Sequence, residues 1–173
     1  GLFLRRGDWW AMRDWADRTV LVTGGAGFIG SFLTEALLDR GADVVVADNF
    51  SRGDNAKIDH LTDRIRLRPV DLTTHRGCIE ATEGVDDVFH LAAAVGGIHY
   101  IQRENVHGLT PSVLMNQHML EAARIAGVDR FLFASSACIY RQQHDGLNRF
   151  SEDQAIPANP HSTYGWRRCS ARW

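Results

Sequence analysis

Thr19-Val20-Leu21-Val22-Thr23-Gly24-Gly25-Ala26-Gly27-Phe28-Ile29-Gly30 is the stretch that decides the fold. Its first five residues are apolar and β-branched, which predicts a buried strand over 19–23. From Phe28 onward, apolar residues recur at Ile29, Phe32, Leu33, Ala36 and Leu37. That spacing predicts a helix over 28–40, and Gly41 closes it. Between strand and helix lie glycines at 24, 27 and 30. Gly24 permits a tight turn, Gly27 lets the backbone approach a pyrophosphate, and Gly30 allows helix and strand to pack closely. The phosphates then rest on the helix N-terminus, where free N–H groups and the helix dipole favour anions.

The same alternation continues outward. Short apolar runs predict strands over Asp43–Ala47, Ile65–Pro69, Asp87–Ala92 and Arg130–Ala134. Helical patterns fall at Asp54–Leu61, Thr73–Thr82 and Gly108–Ala126, the last with Pro111 in its first turn and Gly127 at its end. Strands alternating with helices imply parallel βαβ units: an α/β, Rossmann-type doubly wound sheet with strand order 3-2-1-4-5. Residues 18–173 form the dinucleotide-binding domain. Residues 1–17 read as an N-terminal extension, either a partner-contacting leader or a segment without fixed order. The polar tract Arg141–Thr163, with Pro157 and Pro160, reads as a long functional loop.

Composition narrows the setting. Apolar residues make up 45% and charged residues 23%, with a formal net charge of -2, as in ordinary soluble globular proteins. No basic block marks a nucleic-acid partner. No run approaches the roughly 20 apolar residues of a membrane helix, and the start lacks the pattern of a signal peptide. The three cysteines form no CxxC pair, which fits free thiols in a reducing cytoplasm. His90, His99, His107 and His118 lack metal-ligand spacing and read as structural or surface residues, so no metal is expected.

Several positions are candidates for holding a dinucleotide. Phe28 and Ile29 frame the phosphate turn. Asp48 ends the second strand, where its carboxylate can accept hydrogen bonds from both adenosine ribose hydroxyls and repel a 2′-phosphate. NAD is therefore favoured over NADP. Asn49 and Arg52 follow in the same loop, and Arg52 is close enough to blur that preference. Asp71-Leu72 follows the third strand, where Asp71 either meets the adenine or caps the next helix. The small residues of Leu91-Ala92-Ala93 either let the backbone run beside the dinucleotide or pack under a helix.

Ser135-Ser136-Ala137-Cys138-Ile139-Tyr140 follows the fifth strand, at the carboxyl edge where open α/β sheets bind ligands. Tyr164 lies further on, with Arg168 four residues later on the same face of a helix. A cation beside a tyrosine lowers the phenol pKa, and a serine orients the substrate oxygen. Such a set moves a proton while NAD takes a hydride.

The glycine loop, Asp48, His90-Leu91-Ala92-Ala93, Ser135-Ser136 and Tyr164-Gly165 together resemble the extended short-chain dehydrogenase/reductase family, the NAD-dependent epimerase/dehydratases, over roughly residues 19–166. Val88–Ala93, Gly96-Gly97, Ile101-Gln102, Glu121–Arg124, Ser135–Tyr140 and Pro157–Pro160 extend the resemblance, chiefly toward nucleotide-sugar epimerases that oxidise C4 transiently and exchange protons at C3 and C5. The resemblance implies a nucleotide-sugar substrate. Ser136 would polarise the sugar hydroxyl, and Tyr164 would be the base at C4. Cys138 would be one of the acid/base groups, although it also reads as a small buried residue. Gly96 and Gly97 would line the sugar site. The family implies a homodimer through the helix over 108–126, whose Met115, Met119 and Leu120 also read as core.

Two positions depart from the family pattern. Arg168 stands where a lysine is usual, with a higher pKa and a forked head, and Ser112 stands where an asparagine is usual. The family continues into a C-terminal substrate domain, most of which is expected to be absent here. The tail Arg167–Trp173 lacks a helical pattern. Codons consistent with it read in another frame as Glu-Met-Phe-Cys-Glu, which suggests a frameshift or truncation after Trp166. Alternative readings are another nucleotide-sugar 4-epimerase or 4,6-dehydratase, or an NAD-binding module without turnover.

Overall fold

The computed structural model describes residues 15–94, 109–136 and 139–140. Its strands are β1 (Thr19–Thr23), β2 (Asp43–Ala47), β3 (Ile65–Arg68), β4 (Asp87–His90) and β5 (Arg130–Phe133). They form one sheet, every pairing parallel, in the order 3-2-1-4-5 that the sequence implies. The helices are α1 (Phe28–Leu38), α2 (His75–Thr82) and α3 (Leu109–Ala126).

The expected helix over Asp54–Leu61 is instead two 3-10 turns, Asn55–Lys57 and Asp59–Arg64. The Asp54 side chain accepts from Ala56 N, and the carbonyls of Asp54 and Ile58 are bonded three residues on. These tight local bonds close short turns before an α-helix can propagate. The helix expected from Thr73 starts at His75, because the Thr74 side chain accepts from Gly77 N as the N-cap.

Strand residues alternate between two cores because side chains on a strand point to opposite faces. Parallel register places Leu21 between Val45 and Val88. That face packs on Cys78 and Ala81 of α2 and on Met115, Met119 and Ala122 of α3. The opposite face presents Val20, Val22, Val44, Val46 and Phe89 to Leu37 of α1 and to Trp15. Burying both faces gives the near-continuous apolar strands of a parallel sheet, with about 1.5–3 kcal/mol from each fully buried large side chain.

Trp15, within the stretch read as an extension, belongs to this core and lies 6.0 Å from the Phe89 ring. At the amino edge of the sheet, the buried Asp87 carboxylate accepts from Arg18 Nε at 2.8 Å and Arg130 Nη2 at 2.6 Å. It also pairs with Arg130 Nε. The Asp87 charge is thereby offset by two guanidinium groups, one of which also lies over the Trp15 ring. Along the outer strand β3, Arg66 pairs with Asp43, and Arg68 donates to the carbonyls of Glu80, Ala81 and Glu83 at the end of α2.

Cys78 is fully buried, and its thiol donates to Leu72 O at 3.1 Å. Burial, with a contribution from Asp71, pushes the thiol up to about 12. Cys78 should therefore resist alkylation at pH 8 in the folded protein and react on unfolding, as read by mass spectrometry of its peptide. Because the folded state holds the proton more tightly, this stabilisation is present below the ordinary thiol pKa of 9.0 and is lost as pH rises toward about 12. A Cys78→Ala variant should lose less stability across that window; equal losses would refute the assignment.

Candidate functional site

Three local features open a cleft at the carboxyl edge of β1. Gly24 adopts φ +70, a left-handed conformation that glycine reaches without steric cost. A Cβ there would lie 3.0 Å from the Ala92 backbone. Gly27 is the residue preceding α1, and no side chain caps the helix. The first-turn N–H groups of a helix have no partner within the helix, so this end has the chemistry to receive an anion. At Gly30 a Cβ would sit 2.2 Å from Gly24 O and 2.7 Å from Gly25 Cα. The helix can therefore meet the turn only through glycine.

Asp48 follows β2 and is almost fully buried. Its Oδ2 accepts from Ala26 N at 3.1 Å and its Oδ1 from Phe50 N at 2.9 Å. These bonds orient the carboxylate and hold Phe50 at φ +54, while further lone pairs on both oxygens remain suited to hydroxyl donors. Gly53 folds back beneath it, since a Cβ there would meet Ala26 Cβ at 2.8 Å and Asp48 Oδ1 at 3.1 Å.

The resulting cleft, about 670 Å³, is lined by Gly24, Gly27, Phe28, Ile29, Gly30, Asp48, Asn49, Arg52, Leu72, Leu91, Ala92 and Ala93, all named from the sequence. This volume is within the range of cofactor sites. Phe28 and Ile29 are the most exposed large apolar side chains at its mouth. The lining also includes Val70, Thr73, Met115 and Ser135, which sequence reasoning did not select. Val70 and Thr73 flank the chosen Asp71-Leu72 pair, and Ser135 precedes the chosen Ser136.

Asp71 is absent from the lining. Its Oδ1 accepts from Thr73 N at 2.9 Å and Thr73 Oγ1 at 2.8 Å, supporting the turn ahead of α2, whose cap is Thr74. Ser136 lies past β5, and its carbonyl accepts from Ile139 N. Gly96, Gly97, Cys138, Tyr164 and Arg168 lie outside the described residues. Sequence reasoning also missed Thr23 and Asn116, both buried beneath the cleft. The signal for the second was a polar pair, Ser112 and Asn116, one helical turn apart on a face shared with Met115 and Met119. Both are buried, so an asparagine is present one turn beyond Ser112. Among the described residues, no group of three potential ligands could hold a metal ion, and no helix is long and apolar enough to cross a membrane.

A model of the NAD dependent epimerase/dehydratase family matches residues 20–173, through the last residue of the chain. The chain is 38% identical over 149 residues to GDP-mannose 3,5-epimerase of Arabidopsis thaliana, covering 84% of this chain and 39% of the relative. It is 35% identical over 133 residues to a UDP-N-acetyl-alpha-D-glucosaminuronate decarboxylase of Bacillus cytotoxicus, covering 77% and 40%. Among solved structures, Thermus thermophilus UDP-glucose 4-epimerase in complex with NAD matches with TM-score 0.76 and 32% identity, over 89% of this chain and 48% of that one. The chain thus spans less than half the length of these proteins.

Proposed function

We propose that this chain, which belongs to the NAD dependent epimerase/dehydratase family, is the NAD-binding half of a nucleotide-sugar epimerase of the GDP-mannose 3,5-epimerase type. The observation that carries the reading is the cleft itself: a glycine turn without room for side chains, an uncapped helix end, and an oriented carboxylate at the adjoining strand tip. These residues fit NAD. Gly24, Gly27 and the start of α1 receive the pyrophosphate, Asp48 the adenosine ribose, and Leu72 the adenine edge. Leu91, Ala92 and Ala93 flank the path toward Ser135 and Ser136.

Bound NAD supplies a hydride acceptor. Ser136 would polarise the C4 hydroxyl of the sugar, and the Tyr164 phenolate would take its proton as that carbon is oxidised to a ketone. Arg168 holds the phenolate charge. The ketone acidifies the protons at C3 and C5, and Cys138 exchanges one of them through its sulfur. Tyr164 would give its proton back to the C4 oxygen as the alcohol is restored. Gly96 and Gly97 leave room for the sugar. A homodimer through α3 belongs to the same reading, supported by exposed Leu114 and Ile125.

A second reading, a 4-epimerase, decarboxylase or 4,6-dehydratase on a UDP- or dTDP-sugar, is favoured by the comparable identity to the decarboxylase. Separate titrations with NAD and GDP-mannose, followed by turnover in deuterated water, distinguish them. The proposal expects both to bind and deuterium to enter at C3 or C5, with Cys138→Ala stopping exchange while NAD affinity holds. Turnover of a UDP-sugar alone favours the second reading. NAD binding without any sugar binding leaves a module without turnover.

A further inference from the structure

Directly beneath the cleft, three buried polar side chains form a chain of hydrogen bonds. Thr23, His90 and Asn116 are each less than 5% exposed. Thr23 Oγ1 lies 2.8 Å from His90 Nδ1, and His90 Nε2 lies 3.1 Å from Asn116 Oδ1. Thr23 Oγ1 also accepts from Leu91 N and Ala92 N, each at 3.1 Å.

The direction of every bond follows from counting donors. Two backbone amides occupy the two lone pairs of the Thr23 hydroxyl, so its single proton points to His90 Nδ1. The ring is then the neutral tautomer with its proton on Nε2, donated to Asn116 Oδ1. His90 is the residue that fixes the rotor of the Thr23 hydroxyl. If Nδ1 carried the proton, Thr23 would have no acceptor there and would have to surrender one amide.

Those amides belong to the cleft wall. Leu91 and Ala92 line the cleft, whereas Thr23 and His90 do not. The Ala92 backbone is also the surface that lies 3.0 Å from where a Gly24 Cβ would be. The His90 carbonyl in turn accepts from Ala134 N at 3.2 Å, at the exit of β5. We propose that His90 is a positioning residue of the NAD site: by orienting the Thr23 hydroxyl, it pins the Leu91–Ala92 wall against the phosphate turn. Asn116 extends this control to α3, so that helix and cleft wall share one polar anchor.

Two substitutions cut the relay on opposite sides. An asparagine Oδ1 sits close to where ring Nδ1 was, so His90→Asn keeps an acceptor for Thr23 and abandons Asn116. A glutamine amide reaches the Nε2 position, so His90→Gln keeps Asn116 and abandons Thr23. Both lose packing between Phe131 and Phe133, whose rings lie 5.7 and 5.9 Å from that of His90, and both should melt earlier to a similar degree. Loss of one buried hydrogen bond corresponds to about tenfold in an equilibrium constant. NAD Kd should therefore rise about tenfold in His90→Gln and stay within about threefold in His90→Asn. In the ligand-free protein, exchange of the Leu91 and Ala92 amides should accelerate by about the same factor in His90→Gln alone.

Thr23→Val and Thr23→Ser provide a second pair should the ring variants not fold. Valine should reproduce the glutamine result, and serine should retain parental affinity and protection. Equal changes in both His90 variants that follow their melting temperatures would reduce His90 to a packing residue and overturn the proposal. Unchanged affinity and protection in His90→Gln or Thr23→Val would overturn it too. Failure of the parent protein to bind NAD would instead count against the cofactor site as a whole.

Discussion

Gly30→Ala is expected to abolish measurable NAD binding and to lower the melting temperature by on the order of 10 °C, from about 3 kcal/mol of overpacking. The reason is local and severe. The new methyl group would stand 2.2 Å from Gly24 O and 2.7 Å from Gly25 Cα, both main-chain atoms with no rotamer to change. Either α1 moves off the sheet, opening the core around Leu37, or the turn rearranges and no longer presents its backbone to a pyrophosphate. Gly84 provides the control. Unlike the helical Gly30 it has a positive φ, of 64°, yet a Cβ there meets nothing within 4 Å. Gly84→Ala should cost only the left-handed backbone penalty of about 1–2 kcal/mol and leave NAD affinity intact. Calorimetric titration and thermal melts of both variants decide the point. A Gly30→Ala protein that binds NAD like its parent would remove the phosphate turn from the site.

Asp48→Ala should weaken NAD by about 100-fold, because two hydrogen bonds to a charged acceptor disappear at about 1.5–3 kcal/mol each, partly replaced by water. It should weaken NADP far less. The carboxylate repels a 2′-phosphate, so its removal takes away an unfavourable contact as well as favourable ones, and Arg52 remains at the cleft. The ratio of the two affinities should approach one. Some loss will come from the loop, since Ala26 N and Phe50 N lose their acceptor and Phe50 its reason to hold φ +54. That part weakens both dinucleotides alike, so the ratio isolates the ribose contact. An unaltered ratio would mean that Asp48 serves the loop only.

The sheet was legible because its signals are local. β-branched runs at 19–23 and 43–47 and the apolar spacing after Phe28 each sit within a few residues, and the strand order follows from right-handed βαβ connection. The close-packed glycine turn was legible for the same reason: glycines at 24, 27 and 30 fall between a recognisable strand and a recognisable helix. The 3-10 turns were not, since Asp54 and its neighbours fit a helical pattern whose outcome depends on side-chain capping. Asp71 was ambiguous because one carboxylate suits both a turn and a ligand; in the fold Thr73 donates to its carboxylate and Thr74 to its carbonyl. The relay from Asn116 through His90 to Thr23 was hidden entirely. Its members are far apart in the chain, and a single histidine in an apolar strand carries no hint of the hydroxyl it will meet.

The arginines of β3 bear on a different hazard. An outer strand leaves a row of backbone groups on which a second molecule could add a strand, and apolar runs such as those in this sheet are the material from which fibrils grow. Arg66 and Arg68 place two large cations on that border, one tethered to Asp43 and the other to the carbonyls ending α2. Both anchors keep bulk and charge at the border. Replacing the pair would therefore be felt first as loss of solubility during folding, before any change in what the cleft can hold.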